Sequence, residues 1–299
     1  MRMQGRRESS NVRDIRGRGG MKMAGGLGIG GLVLVALFAY LTGGNPVNAL
    51  LEAVTGGAGA PGVEAGAEGG GTGTYVPTAE EEELKTFATQ VLAGTEDVWE
   101  EIFAQMGRTY EKPTLVLFTD SVQSGCGGAT KQTGPFYCSA DKCLYIDLSF
   151  FANMRADLGA DGDFAYAYVI GHEVGHHVQN LLGTLEAAHK KMAQLDKAAA
   201  NQVSVRLELQ ADFLAGVWAH HDNARFGSME EGDLEEAIRC AGVIGDDYLQ
   251  SKARGGDQYV QPETFTHGKS ESRVKWFRKG WRTGDLREGD TFSVPFDEL

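Results

Sequence analysis

Gly171-His172-Glu173-Val174-Gly175-His176-His177 contains the pattern His-Glu-x-x-His, and the fold turns on whether it lies on a helix. Residues four apart on an α-helix share one face, with Cβ atoms about 5–6 Å apart, so His172 and His176 can both turn a ring nitrogen onto one zinc ion. Glu173 then stands beside the metal. That is where a general base belongs, because a zinc-coordinated water has its pKa lowered toward about 7 and needs a carboxylate to accept its proton. Residues 163–170 lead in with apolar side chains at helical spacing, Val174, Val178, Leu181 and Leu182 continue the pattern, and Gly183 supplies a stop. Were the two histidines ordinary core residues, Glu173 would be buried without a partner, at considerable cost.

A hydrolytic zinc keeps three protein ligands and one open position. Downstream, Arg206-Leu207-Glu208-Leu209-Gln210-Ala211-Asp212 reads as a helix with Leu207, Leu214 and Val217 on its buried face and two acids, four apart, beside it. With Glu208 on the metal, Asp212 can accept the outer N–H of His172 and fix its tautomer. The alternative is a solvated pair of acids on a helix flank. His220-His221 is a rival to Glu208 but falls at a helix end beside Asp222-Asn223, and His177 and His189 lack a partner at ligand spacing.

The rest of the chain frames this site. Across 299 residues the net charge is −13, yet the first 22 residues set Arg2, Arg6, Arg7, Arg13, Arg16, Arg18 and Lys22 against only Glu8 and Asp14. The remainder is therefore strongly acidic, which argues against nucleic-acid binding. Residues 23–51 carry no charge and residues 27–41 are strongly apolar, long enough to cross a hydrocarbon core of about 30 Å. A cleavable signal peptide competes with an uncleaved anchor, and the lack of a small-x-small site after Tyr40 favours the anchor. The expected organisation is a basic cytoplasmic N-terminus (1–22), a transmembrane anchor (23–50), a Gly/Ala-rich flexible linker (51–76) and a zinc metallopeptidase domain (77–299). Basic residues before the span put the N-terminus in the cytoplasm and the domain outside it, periplasmic in a Gram-negative cell.

Within the domain, residues 80–106 suit one or two amphipathic helices interrupted near Gly94, starting at Thr78 with Glu80, Glu81 and Glu82 in the first turn. Residues 113–118 and 143–148 are short β-rich runs. Residues 229–249 and 270–281 predict packing helices of a mostly helical C-terminal half. Four cysteines, Cys126, Cys138, Cys143 and Cys240, allow three full pairings. Cys126 with Cys138, closing a glycine-rich loop, is preferred, and without a C-x-x-C pair a cysteine zinc site is disfavoured.

His172-Glu173-x-x-His176 with Glu208-x-x-x-Asp212 resembles the glutamate-type zincins, whose third ligand is a Glu on a second helix. The apolar segment and tether, the loop Cys126 to Gly134-Pro135-Phe136-Tyr137-Cys138, Tyr145-x-Asp147, Gly245-Asp246-Asp247 and Phe265-Thr266-His267-Gly268 more closely resemble the bacterial family called putative neutral zinc metallopeptidases, over essentially the whole chain. In membrane metallopeptidases that include the CAAX prenyl proteases, a Thr-His-Pro-Pro segment is followed by an Arg six residues after the His, as His267 is by Arg273, although Gly268 and Lys269 replace the prolines. That resemblance implies that His267 and Arg273 stabilise an oxyanion; read by itself, His267 could equally cap the helix starting near Ser270. The expectation is an α+β zincin-like domain holding one zinc per chain and preceded by one transmembrane helix, a zinc metalloendopeptidase acting on extracytoplasmic protein or peptide substrates. A catalytically silent, membrane-tethered zinc domain serving as chaperone or adaptor is the alternative, and the intact Glu173 counts against it.

Overall fold

The computed structural model describes residues 1–17, 75–254, 256 and 260–299. Its strands are β1 (Val12–Asp14), β2 (Thr114–Phe118), β3 (Ser121–Ser124), β4 (Gly127–Thr130), β5 (Phe136–Cys138) and β6 (Cys143–Asp147); its helices are α1 (Ala79–Gln105), α2 (Ser149–Asn153), α3 (Asp163–Leu182), α4 (Thr184–Met192), α5 (Lys197–Phe226), α6 (Asp233–Val243), α7 (Asp246–Ala253) and α8 (Ser270–Thr283). The expected α+β layout with a helical C-terminal half is present. The two β-rich runs become parallel neighbours, β2 and β6, at the centre of a sheet ordered β1-β2-β6-β5, with β5 antiparallel at one edge. Every residue of β6 is buried, as expected of a central strand covered on both faces. β3 and β4 form a separate hairpin, and a disulfide joins Cys126 to Cys138. Closing a loop of that size contributes roughly 3 kcal/mol in the chain-entropy picture. Cys143 and Cys240 remain free and buried.

Helix α1 starts where the acidic turn predicts: the Thr78 side chain takes the N–H of Glu81 and the Glu81 carboxylate returns to the N–H of Thr78, a reciprocal cap whose loss costs about 1 kcal/mol. It runs through Gly94 without interruption. The helix expected over 229–249 is instead two, α6 and α7. The break is at Gly245, where a Cβ would lie 2.4 Å from the backbone nitrogen of Ser270; the chain must turn there to meet the start of α8.

The larger correction concerns the N-terminus. Residues 1–17 are built into the body: β1 pairs in parallel with β2, Arg6 holds Asp222, and Arg7, Ser9 and Asn11 converge on the buried carboxylate of Glu96. An N-terminus hydrogen-bonded into the sheet lies on the same side of any membrane as the rest of the body, so the expected arrangement, with the N-terminus in the cytoplasm and the domain across the membrane from it, is overturned. Among the described residues no helix is long and apolar enough to cross a membrane, so neither the expected transmembrane helix nor the membrane contact expected through it is found there. The segment 23–50 and the linker through residue 74 lie outside the described residues.

Candidate metal centre

Helix α3 carries the motif and ends at Gly183 in the left-handed conformation, the predicted stop. Its two motif glycines set the distance to α5: a Cβ on Gly175 would lie 2.9 Å from the carbonyl oxygen of Ala211, and one on Gly171 2.7 Å from the ring of Trp218. With no side chain there, α5 closes on α3 and Glu208 reaches the histidines. Ligand atoms of His172, His176 and Glu208 all lie within 4.8 Å of one another. Nε2 of His172 is 3.1 Å from Glu208 Oε2, and Nε2 of His176 is 3.5 Å from Oε1. Donors about 2.0–2.1 Å from a tetrahedral zinc stand roughly 3.3 Å apart, so these spacings fit that ion.

Tautomers fit as well. An ionised Asp212 accepts from Nδ1 of His172 at 2.8 Å, and Gln179 Oε1 lies 2.9 Å from Nδ1 of His176 while its Nε2 donates to the Leu207 carbonyl and so fixes the amide's orientation. With a metal bound, both imidazoles would keep their proton on Nδ1 and give the Nε2 lone pair to the ion, the arrangement that outer hydrogen bonds impose on metal-binding histidines. The charges agree. Burial alone would lower the His172 pKa, but Asp212 and Glu208 outweigh it and raise it to about 10; burial would raise Glu208, but His176 and His172 hold it well below the usual carboxylate range. The cluster favours positive charge among its donors, as a dication supplies.

Glu173 lies next to this cluster and is 9% exposed. Burial raises its pKa against the lowering influence of both histidines, and the backbone N–H of Tyr137 in β5 faces it. Tyr137 is held in turn by α3: Asn180 donates to its hydroxyl, which donates to Nδ1 of His177, whose other nitrogen donates to the Glu111 carbonyl. Burial lowers His177 to about 4, so it serves as a neutral pin between α3 and the sheet edge. His220 and His221 bond the carbonyls of Trp281 and Gly284, clear of the cluster, and His189 lies on α4 outside the group of three.

Arg273 is not in the open part of the site. It is 2% exposed, with Nε and Nη2 on Asp212 and Nη1 on the Ile244 carbonyl. His267 is nearer the cleft: its side chain is 28% exposed, its charge acts on Glu208, and the turn that carries it packs through Gly268 against Val205 and Leu209 of α5. The Thr-His-Pro-Pro comparison fails at the backbone. Gly268 has φ +98° and donates its N–H to Asp246; proline is locked near −65° and has no N–H.

Sequence reading missed Gln179 and Tyr168, and gave no role to Tyr137 or Asp246. Tyr168 precedes His172 by four residues and donates to Asp212, and Gln179 follows His176 by three; helical spacing could have found both. Tyr137 and Asp246 lie in motifs that carry the family resemblance, but their partners come from distant segments, and nothing local assigns them a role.

Comparison with known proteins gives a consistent picture. The family model described as Putative neutral zinc metallopeptidase matches residues 1–292, so its match includes the docked N-terminal segment. The chain is 44% identical over 298 residues to the uncharacterized protein YpfJ of Escherichia coli (strain K12), covering 98% of this chain and 99% of that protein. It is 40% identical over 195 residues to the uncharacterized protein Rv2575 of Mycobacterium tuberculosis (strain ATCC 25618 / H37Rv), covering 62% and 64%. No solved structure matches it.

Proposed function

The chain belongs to the putative neutral zinc metallopeptidase family, and from that premise we propose that it hydrolyses peptide bonds with one zinc held by His172, His176 and Glu208. The observation that carries this reading is the convergence of two Nε2 atoms and a carboxylate beside a separate buried carboxylate, Glu173, that is not among the three. A closed structural zinc site has no use for that fourth group. When bound, zinc supplies Lewis-acid polarisation of a carbonyl and an activated water.

The chain's own residues do the rest. Glu173 accepts a proton from the attacking water and returns it to the leaving amine, and its burial, by raising its affinity for the proton, suits both steps. Asp212 and Gln179 hold the ligand imidazoles in the binding tautomer. Arg273 acts as the charge partner of Asp212, and His267 is the donor that meets charge developing on the carbonyl oxygen. The test is a panel of unstructured peptides incubated with the purified, zinc-loaded chain. Chelator-sensitive cleavage that Glu173→Gln abolishes while zinc is retained supports the reading; cleavage unaffected by that substitution refutes it.

A further inference from the structure

Strands β5 and β6 pair antiparallel, with Phe136 opposite Tyr145 and Cys138 opposite Cys143. Side chains alternate between the two faces of a strand, so both pairs share one face. The rings of Phe136 and Tyr145 stack there, 4.9 Å apart, and the two cysteines belong to the same buried apolar cluster. Tyr137, between Phe136 and Cys138, points the other way and bonds His177 and Asn180 of α3. Cys138 is already joined to Cys126, and Cys143 is free. A thiol therefore stands directly across the ladder from a disulfide sulfur. Cα atoms directly opposite in an antiparallel ladder lie about 4.5–5.5 Å apart, inside the span of about 4.4–6.8 Å that a disulfide requires.

We infer that these three cysteines form a thiol–disulfide exchange site, in which Cys143 displaces Cys126 from Cys138. The step needs no oxidant. The Cys143 thiolate attacks Sγ of Cys138, the bond to Cys126 breaks as the new S–S bond forms, and Cys126 leaves as a thiolate that takes up the proton Cys143 released. The resting thiol of Cys143 donates to the Asp141 carbonyl at 3.3 Å and must rotate about its Cα–Cβ bond to attack. Burial, and then the Asp141 carboxylate, raises the Cys143 pKa, so the attack runs through a small thiolate fraction and is slow. The leaving side is favourable. Cys126 is exposed, so its negative charge goes into water, and a thiol of lower pKa leaves faster. Cys126 is also the second residue of the two-residue turn between Ser124 and Gly127, so its release keeps the β3–β4 ladder paired. Exchange unfastens that hairpin from β5 and fastens β5 to β6. It does so one residue from Tyr137, whose backbone N–H faces Glu173.

A disulfide map of the full chain tests this without reference to peptidase activity. Trypsin cuts after Lys131 and Lys142, so the three cysteines fall on separate peptides. Native wild-type protein is held overnight at pH 8.5 with iodoacetamide, then unfolded in acid with N-ethylmaleimide to block the remaining thiols, and mapped by mass spectrometry. Cys126 should gain the iodoacetamide label as its thiolate is released, in step with a Cys138–Cys143 link. In Cys143→Ala that labelling of Cys126 should be lost. In Cys126→Ser, mild oxidation of the folded chain with diamide should join Cys138 to Cys143. A wild-type map with Cys126 unlabelled, or with Cys143 labelled and the Cys126–Cys138 bond intact, would overturn the inference. So would Cys126 labelling that persists in Cys143→Ala, or two free thiols after oxidation of Cys126→Ser. The wild-type map decides by itself if either variant does not fold.

Discussion

Arg273 and Asp212 form a two-point ion pair, Nε to Oδ2 at 2.8 Å and Nη2 to Oδ1 at 2.9 Å, and that same Oδ1 lies 2.8 Å from Nδ1 of His172. All three groups are buried. Removing one partner of a buried pair leaves the other charge uncompensated, at a cost of about 3–5 kcal/mol. Arg273→Ala should therefore lower the urea unfolding midpoint strongly and weaken zinc binding. Arg273→Lys keeps the charge but not the planar fork and should fall between. If Arg273 were an oxyanion donor only, Arg273→Ala would unfold normally and lose only kcat.

Metal content separates ligands from bystanders. His172→Ala, His176→Ala and Glu208→Ala should each lower zinc measured by atomic absorption, and His220→Ala, whose ring bonds the Trp281 carbonyl, should not. Gln179→Leu should retain the fold and lower zinc affinity about 10–100-fold, the usual effect of losing an outer partner. An unchanged zinc affinity in that variant would show that the His176 tautomer is set without the amide.

The helix of the motif could be read from the sequence because period and chemistry coincide in it: the same stretch is amphipathic, glycine-stopped and rich in ligands. Glu208 and Asp212 could be read for a similar reason, as two acids beside an apolar face that needs no acid. Arg273 could not be placed, since its partner is in a different helix and spacing to His267 is a one-dimensional relation. Arg6 and Arg7 show the converse problem. Basic residues before an apolar run carry the same letters whether they face a cytoplasm or bind Asp222 and Glu96, and only the three-dimensional partners decide between them.

Burial raises the Cys240 thiol to about 12, so its charge should be absent from the folded protein well above the ordinary thiol range. In the unfolded chain it titrates near 9. Between these values the folded state holds a proton that the unfolded state has lost. Its contribution is complete below about pH 9 and declines as pH rises toward 12, by at most about 1.4 kcal/mol per pH unit. Alkylation at pH 8.5 should label Cys240 only on unfolding, and the rate of labelling should follow the urea curve. Rapid labelling in the native protein would contradict the burial.

The N-terminal segment gives the prediction that departs furthest from a tethered-domain picture. Asp222 and Glu96 are each 1% exposed, and their cationic partners, Arg6 and Arg7, both come from residues 1–17. A chain lacking that segment keeps the whole metal cluster but leaves two buried carboxylates without cations and β2 without its β1 neighbour. It should unfold at clearly lower urea, and Arg6→Ala alone should cost about 3–5 kcal/mol. Replacing both partners tests the cause. Arg6→Met with Asp222→Leu removes both charges together, and because a well-packed apolar pair is often as stable as a buried ion pair, the double variant should recover most of what Arg6→Ala loses. If Arg6→Ala is neutral, the segment does not stabilise the body through this pair, and residues 75–299 should then hold zinc and unfold as the full chain does.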